Sequence, residues 1–297
     1  MQYNSATHEN VVRYALAGVA ASSLLALAGI VAFLFSEGMP LFSRVGLCDF
    51  LGGKLWYPTD EPGLFGIFPL FAASLAVTMV SSLLAVPLGV MTAVYLTEIA
   101  HASTRSILKP FVELLAALPS VILGFLGMVV LSPMLQDVFG AASGLNLLNA
   151  SIMLAFMSVP TICSISEDAL SAVPRHLREA SLALGATRWQ TTLRVVVPAA
   201  SSGIGTAIML GMSRAMGETM VVLMVAGGAG LIPSSLLDPV RPMPAAIAAE
   251  MAEAPFRSPH YHALFAIGMV LFLVTLVFNC IAAHIAEKHR QVGSASL

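Results

Sequence analysis

The chain has 297 residues, of which 58% are apolar and only 10% charged, with a net charge of -2 and a mean hydropathy of +0.88. Soluble domains carry roughly 25% charged residues, so this composition excludes a soluble enzyme and a disordered chain. With no basic excess to hold a phosphate backbone, it also excludes a nucleic-acid binder.

A lipid bilayer is the solvent that fits. The apolar runs between charges predict six spanning helices, since each crossing needs about 20 apolar residues. The first covers 13–35. Its apolar run exceeds the roughly 7–15 residues of a secretory signal and has no A-x-A cleavage site, so it reads as an uncleaved helix. The second covers 66–97 and the fifth 195–226. Both are longer than a crossing requires and should tilt, kink or project. The third covers 111–132, the fourth 147–166 and the sixth 263–284. Pro87 and Pro119 are expected kink points, tolerable where neighbouring helices re-satisfy the backbone. The expected fold is all-α, a polytopic membrane protein, with no internal repeat and a single domain over 1–297.

Orientation follows from Lys and Arg. With six spans the chain ends share a side with Arg13, Arg105, Lys109, Arg175, Arg178, Arg188, Arg194, Lys288 and Arg290. The opposite side holds Arg44, Lys54, Arg241 and Arg257, and Arg214 lies in a span. An excess of basic residues marks the cytoplasmic side, so both termini and the loop 167–194 are expected there, in a bacterial plasma membrane.

That loop is the most informative stretch. Residues 174–198 read PRHLREASLALGATRWQTTLRVVVP. Pro174 suits the first position of a helix, and Leu177, Ala180, Ser181 and Leu184 give it one modestly apolar face. Gly185 is a natural stop, because a left-handed cap costs glycine little. Thr187 and Gln190 have the spacing of a capping box that opens a second helix. Helix, glycine turn and helix make a knob offered to a partner, although an ordinary interhelical loop has the same composition.

The stretch resembles the EAA loop of ABC importer permeases: EAA, three residues, Gly, nine residues, then I-x-L-P. Glu179, Ala180 and Ser181 stand for EAA, Gly185 falls in place, and Val195, Val197 and Pro198 follow at the required distance. Ser181, Val195 and Val197 are conservative departures. Residues 65–100 and 108–127 look like the second and third spans of phosphate-importer permeases. GETM at 217–220 followed by Val-Val, and 248–268, are similar to the PstC family. The resemblance implies a type I ABC importer permease fold and phosphate as substrate. The implied partners are a PstA-like second permease subunit, a dimeric PstB-like ATPase and a PstS-like phosphate-binding protein. It also implies an ATPase contact at Glu179, Ala180, Ser181, Gly185, Trp189 and Pro198.

Arg214 and Glu218 interrupt the fifth span. A charge at a helix centre costs about 2.5–3.5 kcal/mol on insertion scales and usually faces an interior or a wet path. Their i,i+4 spacing predicts one helix face and mutual contact, with Gly211 and Gly217 permitting close approach. The planar guanidinium of Arg214 suits phosphate oxygens, and the resemblance makes both residues part of the substrate path. An ion pair at a subunit contact is the plainer alternative.

Other residues read more simply. Glu98, His101, Arg105, Lys109 and Glu113 form a charged rim, and Glu167 and Asp168 end the fourth span. His260 and His262 form an H-x-H without further ligands. Trp56 and Tyr57 suit a membrane-interface anchor. Gly211-Met212-Ser213 lacks the closing glycine of a nucleophile elbow. Cys48, Cys163 and Cys280 show no pairing pattern. No metal or cofactor is expected.

Lys54, Lys109 and Lys288 are the only lysines, and none sits in a Gly-Lys-Ser/Thr phosphate loop. An ATP-driven transporter must therefore borrow its ATPase, and the chain itself is expected not to be an enzyme. Three readings stay open beside a phosphate permease. One is a permease for molybdate or sulfate, one the PstA-type partner, and one a proton-coupled secondary transporter using Glu218. The last would normally carry inverted repeats. An intramembrane enzyme would need a nucleophile with a base or a metal cluster, which the sequence does not offer.

Overall fold

The computed structural model describes the backbone of residues 5–294. Helix α1 (Ser5–Gly38) is followed by a short 3-10 turn, α2 (Leu47–Gly52) and a hairpin of β1 (Trp56–Tyr57) and β2 (Leu64–Phe65). Then come α3 (Phe68–Val94), continued by a π turn over Tyr95–Ile99, α4 (Ala102–Ala116), α5 (Ser120–Leu126), a π turn and α6 (Ser132–Phe139). Helix α7 (Leu147–Ser171) leads into α8 (Arg175–Ala183) and α9 (Arg188–Thr191). After a further π turn come α10 (Val197–Ala199), α11 (Ser201–Met216), α12 (Met220–Val225), α13 (Met243–Glu250) and α14 (Pro259–Ser294).

Among the described residues, five helical stretches are long and apolar enough to cross a membrane, and a sixth if one bent pair counts as a span. The all-α reading holds, with a two-stranded hairpin as its small exception. The α1 segment buries none of its apolar window. It leans on α14 through the Phe33–Phe265 edge-to-face pair, 5.6 Å between centroids. Bare apolar surface is what a lipid-facing helix should show, because lipid tails solvate it as well as protein does.

Helices α3 and α7 form the centre. Ala73 and Val77 of α3 cluster with Ala150 and Leu154 of α7, Ala85 with Ile162, and Ala93 with Cys163 and Leu170, all buried. Ile162 fills a notch between glycines on two neighbours. A Cβ at Gly89 would lie 2.8 Å from its side chain, and one at Gly211 only 2.6 Å away. Small residues permit this approach where packing, not water, drives helix association.

The structure redraws two of the expected helices. Residues 111–132 do not form one helix: α4 ends at Ala116, and the spanning stretch is Ser120–Phe139. Pro119 is the extended N-cap of α5 and not an internal kink, because proline disfavours helical geometry in the residue before it. Residues 195–226 are also interrupted. Arg188–Ala199 and Ser201–Met216 meet at 68°, just past Pro198, and the chain breaks again at 217–219 before α12.

Residues 172–187 project as a knob from one end of the bundle. At the other end α1 finishes and α14 begins, with His262 Nδ1 donating to the Glu37 carbonyl at 2.7 Å. A core of Leu41, Phe50, Trp56, Ile67, Met243 and Leu264 closes that end.

Candidate functional site

The knob is built by local rules. Pro174 is the extended N-cap of α8, one position earlier than expected. Gly185 adopts φ +85°. Its N–H donates to the Leu182 carbonyl at 3.0 Å, and the Ala186 N–H to the Ser181 carbonyl at 3.2 Å. These two bonds are the Schellman closure of a helix. Thr187 then caps α9: its Oγ1 accepts from the Gln190 N–H at 3.2 Å, while Gln190 Oε1 accepts from the Thr187 N–H at 2.9 Å. Ser181 and Thr191 join the two arms through their hydroxyls at 2.9 Å. Glu179 and Ala180 lie exposed on α8, Trp189 is exposed, and Leu184 at the tip is 89% exposed. Pro198 sits in α10, two residues before the 68° bend.

Charges fasten the base of the knob. Arg178 donates to the Val173 carbonyl at 2.5 Å, the Leu170 carbonyl at 2.9 Å and Glu98 Oε1 at 2.8 Å. Beside it, Glu167 is 1% exposed and accepts from Arg105 Nε at 3.1 Å, with Lys109 Nζ at 3.1 Å. The expected solvated rim is thus partly a set of interhelical clamps. A cleft of about 460 Å³ opens between them, lined by Thr97, Glu98, Arg105, Arg175, Arg178 and Glu179. Sequence reasoning missed Glu167 as a buried acceptor. The available signal was Arg105 and Lys109 at i,i+4 on one face, two like charges that call for an acid from elsewhere.

Arg214 and Glu218 part company. Arg214 occupies the last turn of α11, exposed, where a cation complements the helix dipole. Its Nη1 donates to Thr161 Oγ1 on α7 at 3.2 Å. Glu218 lies beyond the helix end, and its Oε1 accepts from the Met220 N–H at 3.2 Å and the Val221 N–H at 3.4 Å. Among the described residues no ion pair joins the two. The expectation of one shared face is corrected: α11 stops at Met216, and the carboxylate caps the unsatisfied amides that open α12.

The far end holds a polar hub that sequence reasoning did not find. Glu250 accepts from Trp56 Nε1 at 3.1 Å, from Arg241 Nη1 at 2.5 Å and from His260 Nε2 at 2.8 Å. Trp56 is therefore buried in protein, 2% exposed, and not a membrane-interface anchor. His260 and His262 engage different partners, Glu250 and the Glu37 carbonyl. Asp238 accepts from the Ser234 N–H, the Ser234 hydroxyl and the Ser235 N–H at 2.7–2.9 Å. These bonds hold its carboxyl below the usual value of 3.8.

Residues 85–291 match the family described as binding-protein-dependent transport system inner membrane component. The probable ABC transporter permease protein YqgH of Bacillus subtilis is 37% identical over 274 residues, 92% of this chain and 86% of its own. The phosphate transport system permease protein PstC of Mesorhizobium japonicum is 35% identical over 284 residues, 89% of this chain and 86% of its own. Among solved structures, a bacterial ABC transporter that imports the acidic polysaccharide alginate superposes with a TM-score of 0.62 at 16% identity. The match covers 95% of this chain and 98% of that one, a likeness of fold.

Proposed function

Because the chain belongs to the family of binding-protein-dependent transport system inner membrane components, we propose that it is the membrane-spanning permease of an ATP-driven importer of inorganic phosphate. Arg214 is the observation that carries the substrate. Its guanidinium is held by a neutral hydroxyl on α7 and is not neutralised by Glu218. A cation left without a carboxylate in a span costs about 2.5–3.5 kcal/mol, and a passing oxyanion offsets that cost. Phosphate is the anion that the names of PstC relatives add to this reading.

The knob is the ATPase contact, through Glu179, Ala180, Ser181, Gly185, Trp189 and Pro198. ATP is hydrolysed by a separate dimeric subunit, since none of the three lysines lies in a nucleotide loop. The second half of the path comes from a PstA-like permease, and a phosphate-binding protein delivers the anion to the Glu250 end. The whole chain acts as one membrane domain. Both termini and the knob face the cytoplasm, as the basic residues favour. Nucleotide-driven movement of the knob tilts α11 through the bend at Ala200, switching the path between two packed arrangements.

The test is to purify the chain with its partner subunits and add phosphate-loaded binding protein. Stimulated ATP hydrolysis supports the proposal. Stimulation by molybdate- or sulfate-loaded protein instead of phosphate would reassign the substrate and leave the architecture standing.

A further inference from the structure

We propose that Arg178 is the positioning residue that makes the knob and the ends of α3 and α7 one rigid body, so that force on the knob reaches the spans. The inference rests on the reading of the knob as the ATPase contact. The two arms of the knob are anchored differently. The α9 arm continues into buried Thr191, Thr192 and Val196 and so belongs to the bundle. The α8 arm has no buried side chain. Ser181 ties it to Thr191 of the other arm, and its hold on α3 and α7 is the Arg178 guanidinium.

That group reaches two elements at once. It takes the Leu170 carbonyl, which also accepts from the Val173 N–H at 3.3 Å, and the Val173 carbonyl just past the C-terminal end of α7. Its Nη2 also grips Glu98 in the π turn that ends α3. The pair is largely shielded, at 21% and 13% side-chain exposure, so it is screened less than a surface bridge. A planar fork with five donors can serve three acceptors in fixed directions, whereas a lysine ammonium is a compact point on a flexible stem. Arg178 does not touch the substrate path. It decides whether α8 pushes α3 and α7 or pivots independently.

The experiment uses the full chain with its ATPase and second permease in nanodiscs and proteoliposomes. Spin labels are placed at His176 on α8 and Ile99 at the end of α3, both exposed, with Cys48, Cys163 and Cys280 replaced by Ala. The unaltered clamp should give one narrow distance that does not change with ATP. Arg178→Gln should broaden that distance, make it respond to ATP, and lower phosphate imported per ATP hydrolysed by about tenfold. Arg178→Lys should recover part of the ratio, and Glu98→Gln, which spares the α7 contacts, should fall between. A narrow distance in Arg178→Gln overturns the inference, as does a broadened one with an unchanged transport ratio. A complex that imports no phosphate with Arg178 intact defeats the substrate reading alone, and the distance arm then decides the clamp.

Discussion

Glu167 of α7 and Arg105 of α4 form an ion pair across 62 residues of sequence, and the carboxylate is almost wholly withdrawn from solvent. Helix α4 has no fully buried side chain, so this pair and its Lys109 neighbour, with half-buried Val112, fasten it. Glu167→Ala should lower stability by about 1–3 kcal/mol, less than a fully buried pair loses because both cations are partly exposed. Asp168, one residue on and exposed, serves as control: Asp168→Asn should stay within about 0.5 kcal/mol. Thermal melting of the purified chain in detergent compares them.

Arg214→Gln should abolish phosphate uptake while leaving the protein in the membrane at its normal level. Glu218→Gln should be much milder, because a carboxamide oxygen can still accept the Met220 and Val221 amides, and only about 0.3–1 kcal/mol of charge–dipole interaction is removed. Equal losses in both variants would restore the direct pair. Uptake of labelled phosphate, with immunoblotting of membranes, makes the comparison.

Gly185→Ala probes the knob turn. Nothing stands near the position a Cβ would take, so the penalty is in the backbone alone. A left-handed alanine costs roughly 1–2 kcal/mol. Faster hydrogen exchange at 181–187 and weaker ATPase stimulation are expected, with Gly185→Asn closer to the original, since asparagine tolerates this region better.

Asp238 gives the loop around it a pH dependence. Its folded-state pKa is lowered by the Ser234 and Ser235 bonds, so its contribution is present above the ordinary value near 3.8. That contribution is lost as pH falls through the lowered value. The same loop supplies the Leu236 and Asp238 carbonyls that cap the Leu148 and Leu147 amides of α7. Hydrogen exchange at 234–240 should therefore stay slow through the ordinary aspartate range and rise only below it. In Asp238→Asn that step should vanish.

Short-range chemistry was readable in advance. The capping box at Thr187 and the left-handed Gly185 follow from residues within a turn of one another. The apolar runs were readable too, because a bilayer imposes composition over whole helices. Arg105 and Lys109 called for an acid from elsewhere, but that it would be Glu167, and that Glu250 would meet Trp56, was not readable. Each contact joins residues 62 or 194 positions apart, and one carboxylate in a sequence gives no sign of whether it will meet water or a guanidinium. The division of Arg214 from Glu218 was hidden differently. Periodicity assumes an unbroken helix, and α11 stops between them.

Ile162, seated between Gly89 and Gly211, sets the kind of movement these helices can make. A branched side chain held in two facing hollows resists axial slippage, because a register shift of α3 or α11 along α7 would drive it against a neighbour with no room. Rocking about that point meets no such obstacle. The packing at the centre of the bundle therefore favours rocking of its helices over a register shift.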